Sequence, residues 1–365
     1  MTLVSNRSLS NRLLLALAVG LVGCAHIVTD PVGDDTVGGD TPAGDTVAVC
    51  EPLCPEGLGC EDGMCRAEDA EGFGGWYRPG PDSGAEMVRI PGGEFWMGCD
   101  EGAEPGCPEE SRPKVSVHLT SPYYLDRFEV TNARYREYLL ADGITASAPT
   151  CTGYDLWDDS NPQDPAVPDW AREHPVACVS AADAAAFCAW AGKTLPTEAQ
   201  WELGARGQTG RVYPWGDDFI SANAQCYHDW EPQAYKSDFQ CKDVYPEGTA
   251  CPDEGPQGTV ECHTTAPVTV PAPNNAAWNL QHMAGNVAEW VADAWTEDHS
   301  VCETAGVLGC TDPVYDPEAG DKRPVRGGSW FEQDHDELTG WFREDEDAKT
   351  KKKDIGFRCA WTPGD

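Results

Sequence analysis

At 365 residues the chain is long enough to bury a substantial core, and one large domain with an N-terminal attachment is the first expectation. Its 62 acidic against 25 basic residues give a formal net charge of −37, which argues against nucleic acid or an anionic membrane surface as partner. Acidity of this size reports a solvated surface and says little about fold.

Met1–Gly23 has a basic start, Arg7 and Arg12, and an apolar run of ten residues, Leu13–Val22, too short to cross a bilayer. It reads as a signal peptide. The run ends Leu21-Val22-Gly23-Cys24, which resembles the bacterial lipoprotein box. That resemblance implies a lipidated Cys24, attachment to the membrane through the lipid and, with Ala25 next, delivery to the outer membrane of a Gram-negative bacterium. Setting Cys24 aside from the seventeen cysteines leaves sixteen, an even number that in an exported chain favours disulfides over metal thiolates. Residues 24–49 are rich in Gly, Asp, Thr and Pro and offer too little apolar surface to offset ordering, so they read as a flexible tether. Cys50, Cys54, Cys60 and Cys65 then crowd into a small knot over residues 50–70. Two bridges are the expectation there, since the spacing lacks the paired C-x-x-C of a zinc site.

The globular domain is expected from about residue 84 to 363. It opens with MVRIPGGEFWMGC, two apolar-rich strand candidates separated by Pro-Gly-Gly. Lys114–Leu119 alternates, with Val115, Val117 and Leu119 on one face and His118 on the solvent side. Three helices are placed by their caps. Thr131, between the staple residues Val130 and Tyr135, starts a helix running toward Gly143. Ser180 with Asp183 starts a second, whose stripe Ala184, Phe187, Cys188 and Ala191 ends at Gly192. Thr197 with Gln200 starts a third, with Glu198 in the first turn, where the helix dipole favours an anion, and Trp201 following. Beyond Gly207 the chain is mostly Pro, Gly, Asn and aromatic residues, and its fourteen tryptophans suggest a core of indoles and disulfides. Gln225–Cys262, with four cysteines, reads as an insertion closed by its own bridges.

Leu195–Trp201 (LPTEAQW), Gly285–Trp290 (GNVAEW), the stretch Pro324–Glu337 (PVRGGSWFEQDHDE) and Asp354–Cys359 (DIGFRC) together resemble the formylglycine-generating, or sulfatase-modifying-factor, family. The resemblance covers roughly Met87–Trp361. It implies an α+β, irregular, loop-rich and disulfide-stapled fold related to C-type lectin domains. It also implies a bridge between Cys188 and Cys359, and calcium ligands at His282, Gly285, Val287 and Glu289. Calcium prefers oxygen, so the imidazole of His282 weakens that set, and Glu289 reads equally well as a carboxylate bonded to turn amides.

Family enzymes oxidise a substrate cysteine using copper held by two thiols just after the GGS-aromatic turn. Here the matching positions are Glu332 and Glu337. Cuprous ion selects thiolates whereas carboxylates suit hard cations, so copper is not expected. The resemblance therefore implies a domain silent for formylglycine formation that binds an extracellular peptide, protein or glycan; Trp330, His335 and Trp341 beside the altered turn are candidate groove contacts, with core packing the alternative role of the two tryptophans. The alternative is a metal-dependent oxidase or protein-modifying enzyme with a rebuilt site, for which Glu332, Asp334, His335, Asp336 and Glu337 offer hard ligands, a solvated acidic loop being the rival reading of that cluster.

Overall fold

The computed structural model describes the backbone at residues 59–61, 64–67 and 75–79. From 86 onward it describes all residues but 105, 153–155, 158–159, 162–164, 221–264, 270–275, 305–306, 317–319, 333 and 364–365. The signal peptide, Cys24, the tether and the Gln225–Cys262 insertion lie outside the described residues.

Three helices and fourteen short strands appear among these residues, the irregular α+β mixture expected. The helices start where local chemistry dictates. Thr131 Oγ1 accepts from Arg134 N at 3.2 Å to open α1, Asn132–Leu139. Reciprocal capping boxes, Ser180/Asp183 and Thr197/Gln200, open α2, Ala181–Trp190, and α3, Glu198–Arg206. Gly192 and Gly207 follow them with positive φ, a conformation that glycine adopts without strain.

The strands form three sheets. In the first, β1 (Gly59–Glu61), β2 (Met64–Ala67), β3 (Gly75–Pro79), β4 (Glu86–Ile90), β7 (Tyr123–Asp126) and β14 (Ala360–Trp361) lie side by side. The pairing of β3 with β4 carries this sheet past residue 84 toward the N-terminus. The second combines β5 (Gly93–Met97), β6 (Val115–Leu119), β10 (Val307–Thr311) and β9 (Glu303–Thr304). Residues of β6 alternate buried and accessible, and His118 is exposed, as its period of two requires.

The third sheet positions the site. Its order is β12 (Arg343–Asp347), β11 (Lys322–Arg326), β8 (Ala288–Trp290), β13 (Ile355–Gly356). Three separated motifs, GNVAEW, PVRGG and DIGF, thus become neighbouring strands, with β8 and β13 parallel and the other pairs antiparallel. An aromatic layer of Tyr135, Tyr138, Phe187, Trp290 and Phe357 fills the space beside it, with Tyr135 stacked on Phe187 at 5.7 Å.

Each cysteine with a described side chain is bridged: Cys99–Cys107, Cys151–Cys178, Cys188–Cys359 and Cys302–Cys310. The Cys188–Cys359 bridge spans 171 residues of sequence and ties α2 to the segment before β14. In the chain-entropy model a loop of that length contributes about 5 kcal/mol.

Candidate functional site

The site is built on the exit of β11. Gly327 and Gly328 have φ of +89° and +63°, and a Cβ on Gly328 would lie 2.6 Å from the Glu337 carbonyl oxygen and 3.0 Å from Glu332 Cγ. The absence of a side chain there lets the segment fold back on itself. Ser329 N and Oγ both donate to Glu332 Oε1 at 3.1 Å. A short 3-10 helix, His335–Leu338, follows; Asp334 caps it, and Glu337 Oε2 accepts from Asp334 N at 3.4 Å. Leu338 anchors the turn as a fully buried side chain.

This fold-back brings the Glu332 and Glu337 carboxyl groups together. Burial first, and then the neighbouring Glu337, push Glu332 up to about 8, against the pull of Ser329. At neutral pH Glu332 therefore stays protonated beside Glu337.

An unfolded glutamate ionises near 4.5, so between about pH 4.5 and 8 the native state binds more protons at Glu332 than the unfolded chain does. Stability contributed by this group is lost as pH rises through that window. Glu332→Gln should accordingly melt a few degrees above wild type at pH 8.5, with the gap closing toward pH 4.5. Parallel melting curves across that range check it, and a gap that does not change with pH would contradict the paired state.

His335 lies beside the pair, Nδ1 3.1 Å from Tyr213 Oη and 3.0 Å from Asp336 Oδ1, its ring stacked on Phe219 at 5.2 Å. Tyr213 stacks in turn on Trp215 at 5.3 Å, so the YPWG block forms an aromatic wall for the turn. The loop Glu101–Arg112, pinned by Cys99–Cys107, borders the other side and lines a recess of about 470 Å³. Its Gly106 lies so close to Asp336 that a Cβ there would fall 2.3 Å from the carboxyl carbon.

Of their two expected roles, the indoles of Trp330 and Trp341 take core packing and not groove contact. Trp341 is fully buried, with the Arg206 guanidinium 5.0 Å from its ring centre, and Trp330 is 5% exposed beneath Lys353. Phe331, 48% exposed, is the aromatic ring that the turn presents to solvent. Neither tryptophan serves as a surface contact, because their area is already spent on core packing.

The calcium set fares similarly. Both Glu289 oxygens are engaged: Oε1 accepts from Arg358 Nη2 at 2.6 Å, and Oε2 from Arg358 Nε at 2.7 Å and Trp201 Nε1 at 2.8 Å. His282 directs Nε2 at the Val268 carbonyl, 3.2 Å away. With its one carboxylate paired to a guanidinium and an imidazole in place of an oxygen, the group formed by His282, Gly285, Val287 and Glu289 does not fit calcium. Glu289 is an ion-pair partner, and neither expected role describes it. Glu332 and Glu337, the expected counterparts of the family's thiols, do not fit cuprous copper either, because two carboxyls offer it no soft ligand.

A buried ion network supports the turn from below, and sequence reasoning missed it. Glu198 accepts from Arg343 Nε and Nη2 at 2.7 and 3.0 Å, in addition to its place in the first turn of α3. Glu202 accepts from Arg206 Nη1 and Arg326 Nη2, both at 2.6 Å, and from Gly98 N at 2.7 Å. These five side chains are 0–1% exposed. The available signal was the i, i+4 spacing of Glu198, Glu202 and Arg206 along one helix that also carries Trp201.

Comparison with known proteins follows the same geometry. A family model described as the sulfatase-modifying factor enzyme 1-like domain matches residues 77–363. The formylglycine-generating enzyme of Thermomonospora curvata is 32% identical over 313 residues, 76% of this chain and 93% of that protein. A bovine protein named inactive C-alpha-formylglycine-generating enzyme 2 is 28% identical over 321 residues, 79% of this chain and 91% of its own. The solved structure of PvdO from Pseudomonas aeruginosa superposes with a TM-score of 0.52 at 23% identity, over 76% of this chain and 94% of that one, which is a likeness of fold.

Proposed function

Because the chain belongs to the sulfatase-modifying factor enzyme 1-like family, we propose that it is a member silent for formylglycine formation, serving to bind an extracellular peptide or similar ligand. The observation that supports this is the Glu332–Glu337 pair: the two positions meet as carboxyls, with Glu332 held up at about 8 by burial and by its neighbour. A thiolate pair holds cuprous ion and can exchange with a substrate thiol; a carboxyl pair does neither. Both kinds of relative exist, since the proteins similar to this chain include one named as an enzyme and one named as inactive.

The second reading, a rebuilt hard-metal centre, is favoured by Asp334, His335 and Asp336, whose ligand atoms lie within 4.8 Å of one another. Against it, Asp334 caps Asp336 N, and His335 is engaged by Tyr213 and Asp336. One experiment separates the two. Protein purified without chelators should carry no stoichiometric iron or copper, and should form no aldehyde on a cysteine-containing sulfatase-type peptide supplied with copper and reductant. Aldehyde above a no-protein control would sink the silent reading, and bound iron would favour the rebuilt centre.

We further propose that Cys24 is lipidated and holds the domain at the outer membrane of a Gram-negative cell, on the strength of the Leu21–Cys24 pattern. A fatty-acid analogue should label the wild type, and Cys24→Ser should lose both label and membrane retention. Equal labelling of the variant would end the idea.

A further inference from the structure

A second cavity, of about 500 Å³, lies where β7 leads into α1, and it falls in the size range of small-molecule sites. None of Ser329, Glu332 or Glu337 lines it, so it stands apart from the altered turn. Glu129 does line it, 2% exposed, with Oε1 accepting from Asn286 Nδ2 at 2.9 Å and Oε2 without a hydrogen-bond partner among the described residues. A buried polar atom left unpaired costs roughly 1–3 kcal/mol, so Oε2 points to a missing partner. We propose that this cavity binds a small organic primary amine, whose ammonium group donates to Glu129 Oε2.

The surroundings select that chemistry over its rivals. An anion is disfavoured although the N-terminus of α1 borders the cavity, because the first amides of the helix are already used. Asn132 N donates to His174 O, Ala133 N to Arg172 O and Arg134 N to Thr131 Oγ1. The balance of charge also favours a cation, since four other acidic side chains beside Glu129 line the space against two guanidiniums. Most of those carboxylates are matched: Asp126 by Lys193 at 2.8 Å, Glu86 by Arg127 at 2.9 Å and Glu137 by Arg134.

A metal ion is disfavoured because the carboxylates here do not converge; among the described residues the one group close enough for shared coordination is Asp334, His335 and Asp336. A guanidinium favours both oxygens of a carboxylate, and Asn286 holds one, whereas an ammonium needs a single acceptor. Phe128, half-buried, and Phe187 at the floor supply apolar walls for an alkyl stem. Burial, opposed by Arg358 and reinforced by Glu289, holds Glu129 up at about 8, so docking at neutral pH accompanies release of its proton.

Titration of the full exported chain with n-butylammonium, followed by calorimetry, tests the site. Saturable binding is expected, with Glu129→Gln weakening it at least tenfold while melting within a few degrees of wild type. Phe128→Ala should weaken it several-fold, and it reports on the site even if Glu129→Gln does not fold. Calcium chloride and sodium acetate should leave the butylammonium isotherm unchanged. Absence of saturable binding, unweakened binding by Glu129→Gln or by Phe128→Ala, or displacement by calcium would each overturn the assignment.

Discussion

Glu202→Gln should destabilise the domain by about 3–5 kcal/mol, the loss seen when one partner of a buried ion pair is removed. Glu202 bridges Arg206 on its own helix and Arg326 at the end of β11, and all three side chains are fully buried. An amide in its place keeps the volume but turns donors toward one guanidinium and removes the compensating charge. The cluster would then hold three arginines against Glu198 alone. The indole faces beneath these guanidiniums, Trp201 under Arg326 at 5.3 Å and Trp341 under Arg206 at 5.0 Å, cannot make up the deficit, since cation–π contacts contribute roughly 0.5–2 kcal/mol. Because Arg326 precedes Gly327, the damage falls on the base of the carboxyl-pair turn. Denaturation with the disulfides intact measures it, and Glu137→Gln, at a half-exposed helix pair, is the control expected below about 1 kcal/mol. Equal losses in the two variants would show that the buried network does not hold the site.

What the sequence makes legible, and what it hides, follows from the range of the interactions. Ser180 with Asp183 and Thr197 with Gln200 are three residues apart, so their capping boxes could be placed before any tertiary structure was known. The bridge from Cys188 to Cys359 and the order of motifs rested on family likeness, not on local chemistry. The pairing of β11 with β8 and of β8 with β13 joins segments too short to announce themselves as strands. Glu202 and Arg326 are 124 residues apart, and no local pattern matches them. Trp330 and Trp341 had two sensible roles for a related reason, and the core-packing one holds: an indole beside an altered turn looks the same in sequence whether it faces a ligand or carries an arginine on its ring. Glu289 had two sensible roles, and the guanidinium that takes it lies 69 residues further on.

We propose that Glu332 and Glu337 stand where the family's thiols would, close enough to act as a pair and chemically unable to hold cuprous copper. Restoring both thiols isolates that claim, because Glu332→Cys with Glu337→Cys changes ligand softness while Gly327, Gly328 and the network beneath stay in place. Copper binding is expected before turnover, since oxidation also requires a fitted substrate. The measurement is a copper(I) competition titration against bicinchoninate, with X-ray absorption of the bound ion. Wild type should leave the copper with the chelator, and the double variant should take one equivalent with sulfur ligands. Tight copper(I) binding by wild type, or a folded double variant whose two thiols cannot share one ion, would contradict the account.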